Sequence, residues 1–371
     1  MPTAAKPHKP DRFFFFVVLG ITLAGFFIFS SASLGLLSRG GASFNLIAAK
    51  QLAVLVVGLV AFLVVSKMDY RFWRDWSPYL FLGAVIFTLG VFVPGIGWHS
   101  GGASRWILLG PFTFQPSEFL KLGFILFLAA WLAKAKEKVQ TLKGGLIPFL
   151  IISSIVGAIL VAEPDIDMLV IMLSGGVAMY FVSGARWRHL AVLLVLLIAA
   201  IGVVAMVKPY IIARIKTYIH PDEHTLGSSY QINQSLIAIG SGGWTGRGFG
   251  QSIQKFKYLP EPIGDSVFSV ASEEFGFLGA LAILTGFLLF ALAGLRIAAR
   301  SPSGFGRLVT VGIVIMILAG AFINIAAMLG VIPLTGTPLL FVSQGGTALL
   351  LALVEAGIIL NVSRHTQKLI T

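Results

Sequence analysis

Cysteine is absent from the 371 residues. That excludes disulfides, thiolate nucleophiles and Cys-ligated metals, so any chemistry here must use oxygen and nitrogen groups. Charge is also scarce: Asp, Glu, Lys and Arg make up 11% of the chain, and acids number only 15 against 27 bases. A soluble globular domain carries about 25% charged residues, so one large aqueous-facing fold is excluded. What is abundant is apolar surface, with 57% hydrophobic residues and a mean hydropathy of +0.93. An all-α polytopic integral membrane protein is therefore expected.

Apolar runs near 13–34, 45–66, 77–95, 117–133, 145–162, 168–184, 190–208, 267–295, 308–331 and 339–362 predict about ten spans, each close to the ~20 residues that cross a bilayer. The net charge of +12 could suggest nucleic acid, but the positions of the bases argue otherwise. Lys6, Lys9 and Arg12, then Lys67, Arg71 and Arg74, then Lys134, Lys136, Lys138 and Lys143 fall at alternate span ends, and Arg186, Arg188, Arg296, Arg300, Arg307, Arg364 and Lys368 continue the alternation. The short loops on the other side hold only Arg39 and Arg105. By the positive-inside rule both termini are cytoplasmic and no nucleic-acid partner is implied. Residues 1–12 and 363–371 read as cytoplasmic tails, 13–362 as one membrane domain with an uncleaved first span, and 209–266 as a large outer loop.

Acids sort the opposite way. Asp11, Asp69, Asp75 and Glu137 fall inside, whereas Glu118, Glu163, Asp165, Asp167, Asp222, Glu223, Glu261, Asp265, Glu273 and Glu274 fall in outer loops or at outer span ends, level with Lys50, Arg105 and Lys121. Ionisable groups at membrane depth are costly, and where they persist they line a cavity or hold loop ends as ion pairs. In Gln115-Pro116-Ser117-Glu118, Pro116 suits the first helical turn and Glu118 the helix N-terminus, with Lys121 one turn further on the same face. Capping with an ion pair and phosphate binding both account for Lys121. In Glu163-Pro164-Asp165-Ile166-Asp167 the proline forces a turn; the carboxylates either bind a cation through oxygen or sit in a solvated turn with Asp167 as helix cap. His220 and His224 bracket Asp222 and Glu223, but Pro221 disfavours the regular helix a zinc pair would need. The Gly-rich run 240–250 lacks a Walker lysine and is not a nucleotide loop. Asp265 enters an apolar helix, where a lone Asp is commonly an N-cap.

Four ordered blocks give these residues a context. They are Gly102-Ala103-Ser104-Arg105-Trp106-Ile107 with Gln115-Pro116-Ser117-Glu118 and Lys121; Glu163-Pro164-Asp165; Tyr230-Gln231 through Gly243 to Tyr258-Leu259-Pro260-Glu261, Asp265 and Glu273-Glu274-Phe275-Gly276; and Gly336-Thr337-Pro338-Leu339-Leu340-Phe341-Val342-Ser343 with Gly345-Gly346. From about 13 to 362 the chain resembles the SEDS glycosyltransferases, the family of FtsW, RodA and SpoVE, which polymerise lipid II into peptidoglycan. The stretch from Lys255 to Glu261 looks more like FtsW than RodA, so septal synthesis in division is expected, with elongation as the alternative.

The resemblance implies a bacterial cytoplasmic-membrane enzyme whose active face is extracytoplasmic. It implies Asp265 as general base and Arg105, Lys121, Glu118 and Asp165 on the substrate and pyrophosphate side, with Lys50, Glu261, Glu273, Glu274 and Ser343 in support. No covalent cofactor is expected; a divalent cation, Mg or Mn, would be held by Asp165, Asp167 or Asp265. Expected partners are lipid II, a class B penicillin-binding protein and other divisome or elongasome membrane proteins. The chain departs from the family pattern where Gln-Pro-Asp-Leu-Gly-Thr becomes Glu163 to Met168, where His-Thr becomes Ile263-Gly264, and where a Tyr becomes Gln344. Two other classes compete: a lipid II flippase, which should show internal repeats and broken helices, and a non-enzymatic scaffold, which would not need Asp265 or Lys121.

Overall fold

The computed structural model describes residues 8–39, 42–100, 103–109, 112–207, 209–219 and 229–366. Its helices are α1 (Arg12–Ser33), α2 (Ala42–Lys67), α3 (Tyr70–Leu89), α4 (Pro116–Ala135), α5 (Ile147–Ala162), α6 (Ile166–Val182), α7 (Trp187–Val207), α8 (Pro209–Ile219), α9 (Tyr230–Ser241), α10 (Val267–Arg300), α11 (Gly304–Met328) and α12 (Gly346–Ser363). Seven are long and apolar enough to cross a membrane, namely α1, α2, α3, α5, α10, α11 and α12, and α6 and α7 contribute shorter apolar stretches. With the 20-residue α4, they match the ten expected runs. The fold is an all-α polytopic membrane fold.

The bundle is ordered by burial. α11 and α12 are mostly enclosed, whereas α2 and α3 turn much of their surface outward. α12 packs on α2, α4 on α3, and α11 on α4, α6 and α10. Starts follow helix-capping chemistry: the Phe14 N–H donates to Asp11 at 2.9 Å to open α1, and the Gly306 N–H donates to Ser303 to open α11. The two chain ends share one face, because His8 N–H donates to the Arg364 carbonyl at 2.8 Å and Asp11 N–H to Ser363 Oγ at 3.0 Å. Arg296 joins them through a 2.8 Å ion pair with Asp11.

Two expectations are corrected. The segment 209–266, expected as one large loop, carries α8 and α9 among its described residues, followed by tight turns. The last span starts at Gly346 rather than near 339, since residues 333–339 are extended or irregular and 340–344 form turns. Between α3 and α4 the all-α bundle also carries a small three-stranded antiparallel sheet of β1 (Gly97–Ser100), β2 (Ala103–Leu109) and β3 (Phe112–Phe114). Trp98 pairs with Trp106, and Ile107 with Phe114. Alternating residues of this ribbon put Ile107 in the core.

α10 is 34 residues long, about 50 Å, which exceeds the bilayer core. It is broken at Gly276, whose φ of 65° is the left-handed conformation that glycine tolerates. The backbone groups freed at the break are taken up by the turn 242–248. Phe277 N–H donates to the Gly243 carbonyl, and Arg247 and Gly248 N–H donate to the carbonyls of Glu273 and Glu274. A Cβ on Gly246 would collide with the Glu274 carbonyl, and one on Gly276 with the Gly246 backbone, so the approach requires glycine on both sides. Irregular backbone at membrane depth is tolerated only when protein satisfies it in this way.

Candidate functional site

A polar cavity of about 300 Å³ opens between the β-ribbon, the starts of α4 and α6, the turn before α10 and the irregular segment before α12. Arg105, Gln115, Glu118, Lys121, Asp165 and Asp265 all line it, although they span 160 positions of sequence. Each arrives by a local rule. Pro116 sets the first turn of α4, so Glu118 and Lys121 follow on the cavity face. Asp165, rather than Asp167, is the N-cap of α6, accepting from the Met168 N–H at 3.3 Å, because α5 ends at Ala162 and Pro164 turns the chain immediately before it. Gln115 Nε2 holds its other oxygen at 3.3 Å.

On the floor, the Lys121 ammonium lies 2.7 Å from Glu118 and 3.7 Å from Glu355, all three side chains at most 3% exposed. Lys121 is thus shared between two carboxylates, which offsets its positive charge. Glu355 escaped the sequence reading; an acid inside the apolar run of the last span was the signal that could have found it. Arg105 reaches from β2 to the α5–α6 turn, donating to the Glu163 carbonyl at 3.2 Å and to the Pro164 carbonyl. It positions that turn as well as supplying charge. Burial pushes the Glu163 carboxyl up to about 8, with Asp165 adding and Arg105 opposing. Burial likewise raises Asp165, against the pull of Arg105.

Asp265 stands on the opposite wall. It does not cap α10, whose N-cap is Ser266, so the simple capping account of this aspartate fails. Burial pushes its carboxyl up to about 7; Glu261 and Asp167 add to the rise, while Arg214 and Arg105 oppose it. Glu261 lines the cavity near it. Asp167, the acid found where the family has a small residue, pairs with Arg214 of α8 at 3.3 Å and accepts from Gly336 N–H at 3.3 Å. The expected Asp167 cap is therefore a bridge between α6, α8 and the segment before α12. Ser343 Oγ donates to the Gly264 carbonyl at 2.7 Å and accepts from Leu339 N–H at 2.8 Å, holding the turn that carries Asp265.

Other candidates lie elsewhere. Glu273 and Glu274 face the 247–256 turn: Glu273 accepts from Ser252 Oγ, Ile253 N–H and Gln254 N–H, and Glu274 pairs with buried Lys255 at 2.6 Å and with Ser31. They secure α10 to that turn and to α1 instead of supporting the cavity. Lys50 is half-buried on α2 and is not part of the cavity lining. His220, Asp222, Glu223 and His224 fall outside the described residues. For a divalent cation the donor set does not fit. Asp165 and Asp167 are each already held by hydrogen-bond donors, and among the described residues no three acids or histidines gather as ligands.

Among the described residues, seven membrane-length apolar helices with shorter ones beside them, enclosing an acid-rich cavity with cations in its lining, define a polytopic membrane protein with an internal polar site. The chain belongs to the cell cycle protein family of FtsW, RodA and SpoVE, whose family model matches residues 11–368. It is 38% identical over 363 residues to stage V sporulation protein E of Bacillus subtilis, covering 98% of this chain and 99% of that one. It is 36% identical over 314 residues to the probable peptidoglycan glycosyltransferase FtsW of a Geobacter species, covering 85% and 86%. Its fold matches a chain of a peptidoglycan synthase complex solved for its coordination of polymerization and crosslinking, with a TM-score of 0.78, 28% identity, and 96% and 98% of the two chains covered.

Proposed function

We propose that this protein polymerises lipid II into glycan strands, working at the outer face of a bacterial cytoplasmic membrane with both termini in the cytoplasm. The observation that carries the reading is Asp265. It is a carboxylate on the wall of a polar cavity, uninvolved in helix capping and raised to about 7, where a general base is most effective at neutral pH.

In the reaction, Asp265 takes the proton of an acceptor sugar hydroxyl as its oxygen bonds to the anomeric carbon of the donor. The bond from that carbon to the polyprenyl pyrophosphate breaks on the opposite side, inverting the centre. Negative charge grows on the leaving pyrophosphate, where fixed cations are worth most in a water-poor site. Arg105 on the cavity wall suits this role, and the Lys121 floor suits it less because Glu118 and Glu355 already compensate its charge. A cavity of this size admits the reacting sugar and phosphates while the peptide and prenyl chain remain outside.

The names of the relatives favour septal over lateral synthesis. The fold likeness to a chain of a synthase complex supports a transpeptidase partner of the class B penicillin-binding type. The small residues of α11 do not suit a partner helix: Gly312 packs on Met179 and Gly320 lines the cavity. Gly279 and Gly286 of α10 line an outward apolar groove against α1 and suit it better. Purified protein given fluorescent lipid II in detergent should form long glycan. Transfer of lipid II across liposomes with no polymer in either setting would instead establish a flippase.

A further inference from the structure

Asn324 lies in the last turns of α11, fully buried, and belongs to none of the motif blocks. Its Nδ2 donates twice, to the Asp265 carbonyl at 2.8 Å and to the Thr337 carbonyl at 2.7 Å. Both partners are acceptors, so the orientation of the amide is fixed by chemistry. Those carbonyls belong to two neighbouring segments that both line the cavity, the turn 261–266 before α10 and the irregular stretch 333–345 before α12. Neither segment has a helix or strand ladder of its own to hold it. Besides Asn324, they are joined by Ser343 Oγ donating to the Gly264 carbonyl and by Gln344 N–H donating to the Ile263 carbonyl at 2.7 Å.

The amide is costly where it stands. Its Oδ1 is buried with no partner among the described residues, a situation that ordinarily favours an apolar residue of similar volume. What an apolar residue could not do is donate to both of these backbone carbonyls at once. We infer that Asn324 is a positioning residue for transfer, tying the backbone of Asp265 to the segment before α12 so that its carboxylate is aimed into the cavity.

This inference rests on the reading of Asp265 as base, and the experiment separates the two. Full-length protein carrying Asn324→Ala is purified, checked for folding by thermal melting, and assayed with fluorescent lipid II. Expected are a kcat loss of about tenfold to a hundredfold with KM within about twofold, the range in which misplacing a catalytic group acts. Expected also is a shift of the kcat–pH profile to lower pH, because a loosened Asp265 gains water. The charged groups acting on it are Glu261 and Asp167, which raise its pKa, and Arg214 and Arg105, which lower it. Asn324→Ser, which keeps a donor, should recover part of the loss. In an Asp265→Asn background, Asn324→Ala should cost nothing more, since the two act as a unit.

An unchanged kcat and pH profile overturns the inference. So does a kcat loss with an unmoved profile that adds in full to Asp265→Asn, which would mark Asn324 as a packing residue only. If the Ala protein does not fold, Asn324→Ser is judged by the same two readouts. Asp265→Asn alone decides the base reading: if that variant keeps its activity, the base assignment fails whatever Asn324 does.

Discussion

Replacing Asp265 by Asn tests the site in two directions at once, because the same burial that tunes the carboxyl also strains the fold. The carboxyl is raised from 3.8 to about 7. As a base it works only when deprotonated, so kcat should rise with pH through about 7. The ionised fraction is roughly a tenth at pH 6 and roughly nine tenths at pH 8, so the rate should rise nearly tenfold between them. A carboxylate near its ordinary pKa would give no change over that range. Asn has the same shape but no basic electron pair, so Asp265→Asn should lower kcat by about 10²-fold or more. The stability effect has the opposite sign. A folded pKa above the unfolded value means that the folded state binds more protons, so stability falls as pH rises from about 4 to about 7 and the full deficit is present above that. A rise of this size corresponds to about 4 kcal/mol as an upper bound. Asn removes that deficit, so the variant should melt higher than the wild type at pH 8 and close to it at pH 4. Glycan yield from fluorescent lipid II and melting in detergent at the two pH values read both effects. A variant that still polymerises, or a wild-type profile flat from pH 6 to 8, would refute the reasoning.

Two further predictions concern the floor of the cavity and the orientation in the membrane. Lys121→Met leaves Glu118 and Glu355 buried without their cation and should destabilise the protein by about 3–5 kcal/mol, and adding Glu118→Gln and Glu355→Gln should restore most of it; thermal melting reads the result, and full stability of the single variant would show that the three groups are not an ion triad. Because the chain has no native cysteine, single cysteines at exposed Lys257 and exposed Gln140 can be labelled cleanly. An impermeant thiol reagent on intact spheroplasts should label 257 and spare 140, and the reverse pattern would overturn the cytoplasmic assignment of the termini.

Span number, the alternation of basic residues and the identity of most acids that reach the cavity were legible in the sequence, because bilayer thickness and the cost of buried charge act on contiguous residues and leave a local trace. That trace set Glu118, Asp165 and Asp265 among the outer acids, level with Lys121 and Arg105; the motif resemblance, and not charge alone, singled these five out. The three-dimensional fold alone settled what each one does with its neighbours. It diverted Glu273 and Glu274 to Lys255, Ser252 and Ser31, since the break at Gly276 brings the 242–256 turns against the start of α10. It placed Glu355 beside Lys121 across 234 positions of sequence, and it set Asn324 between two unladdered segments. Pairings of this kind are fixed by how helices pack, and helix packing is a sum over many distant contacts that no short window of sequence contains.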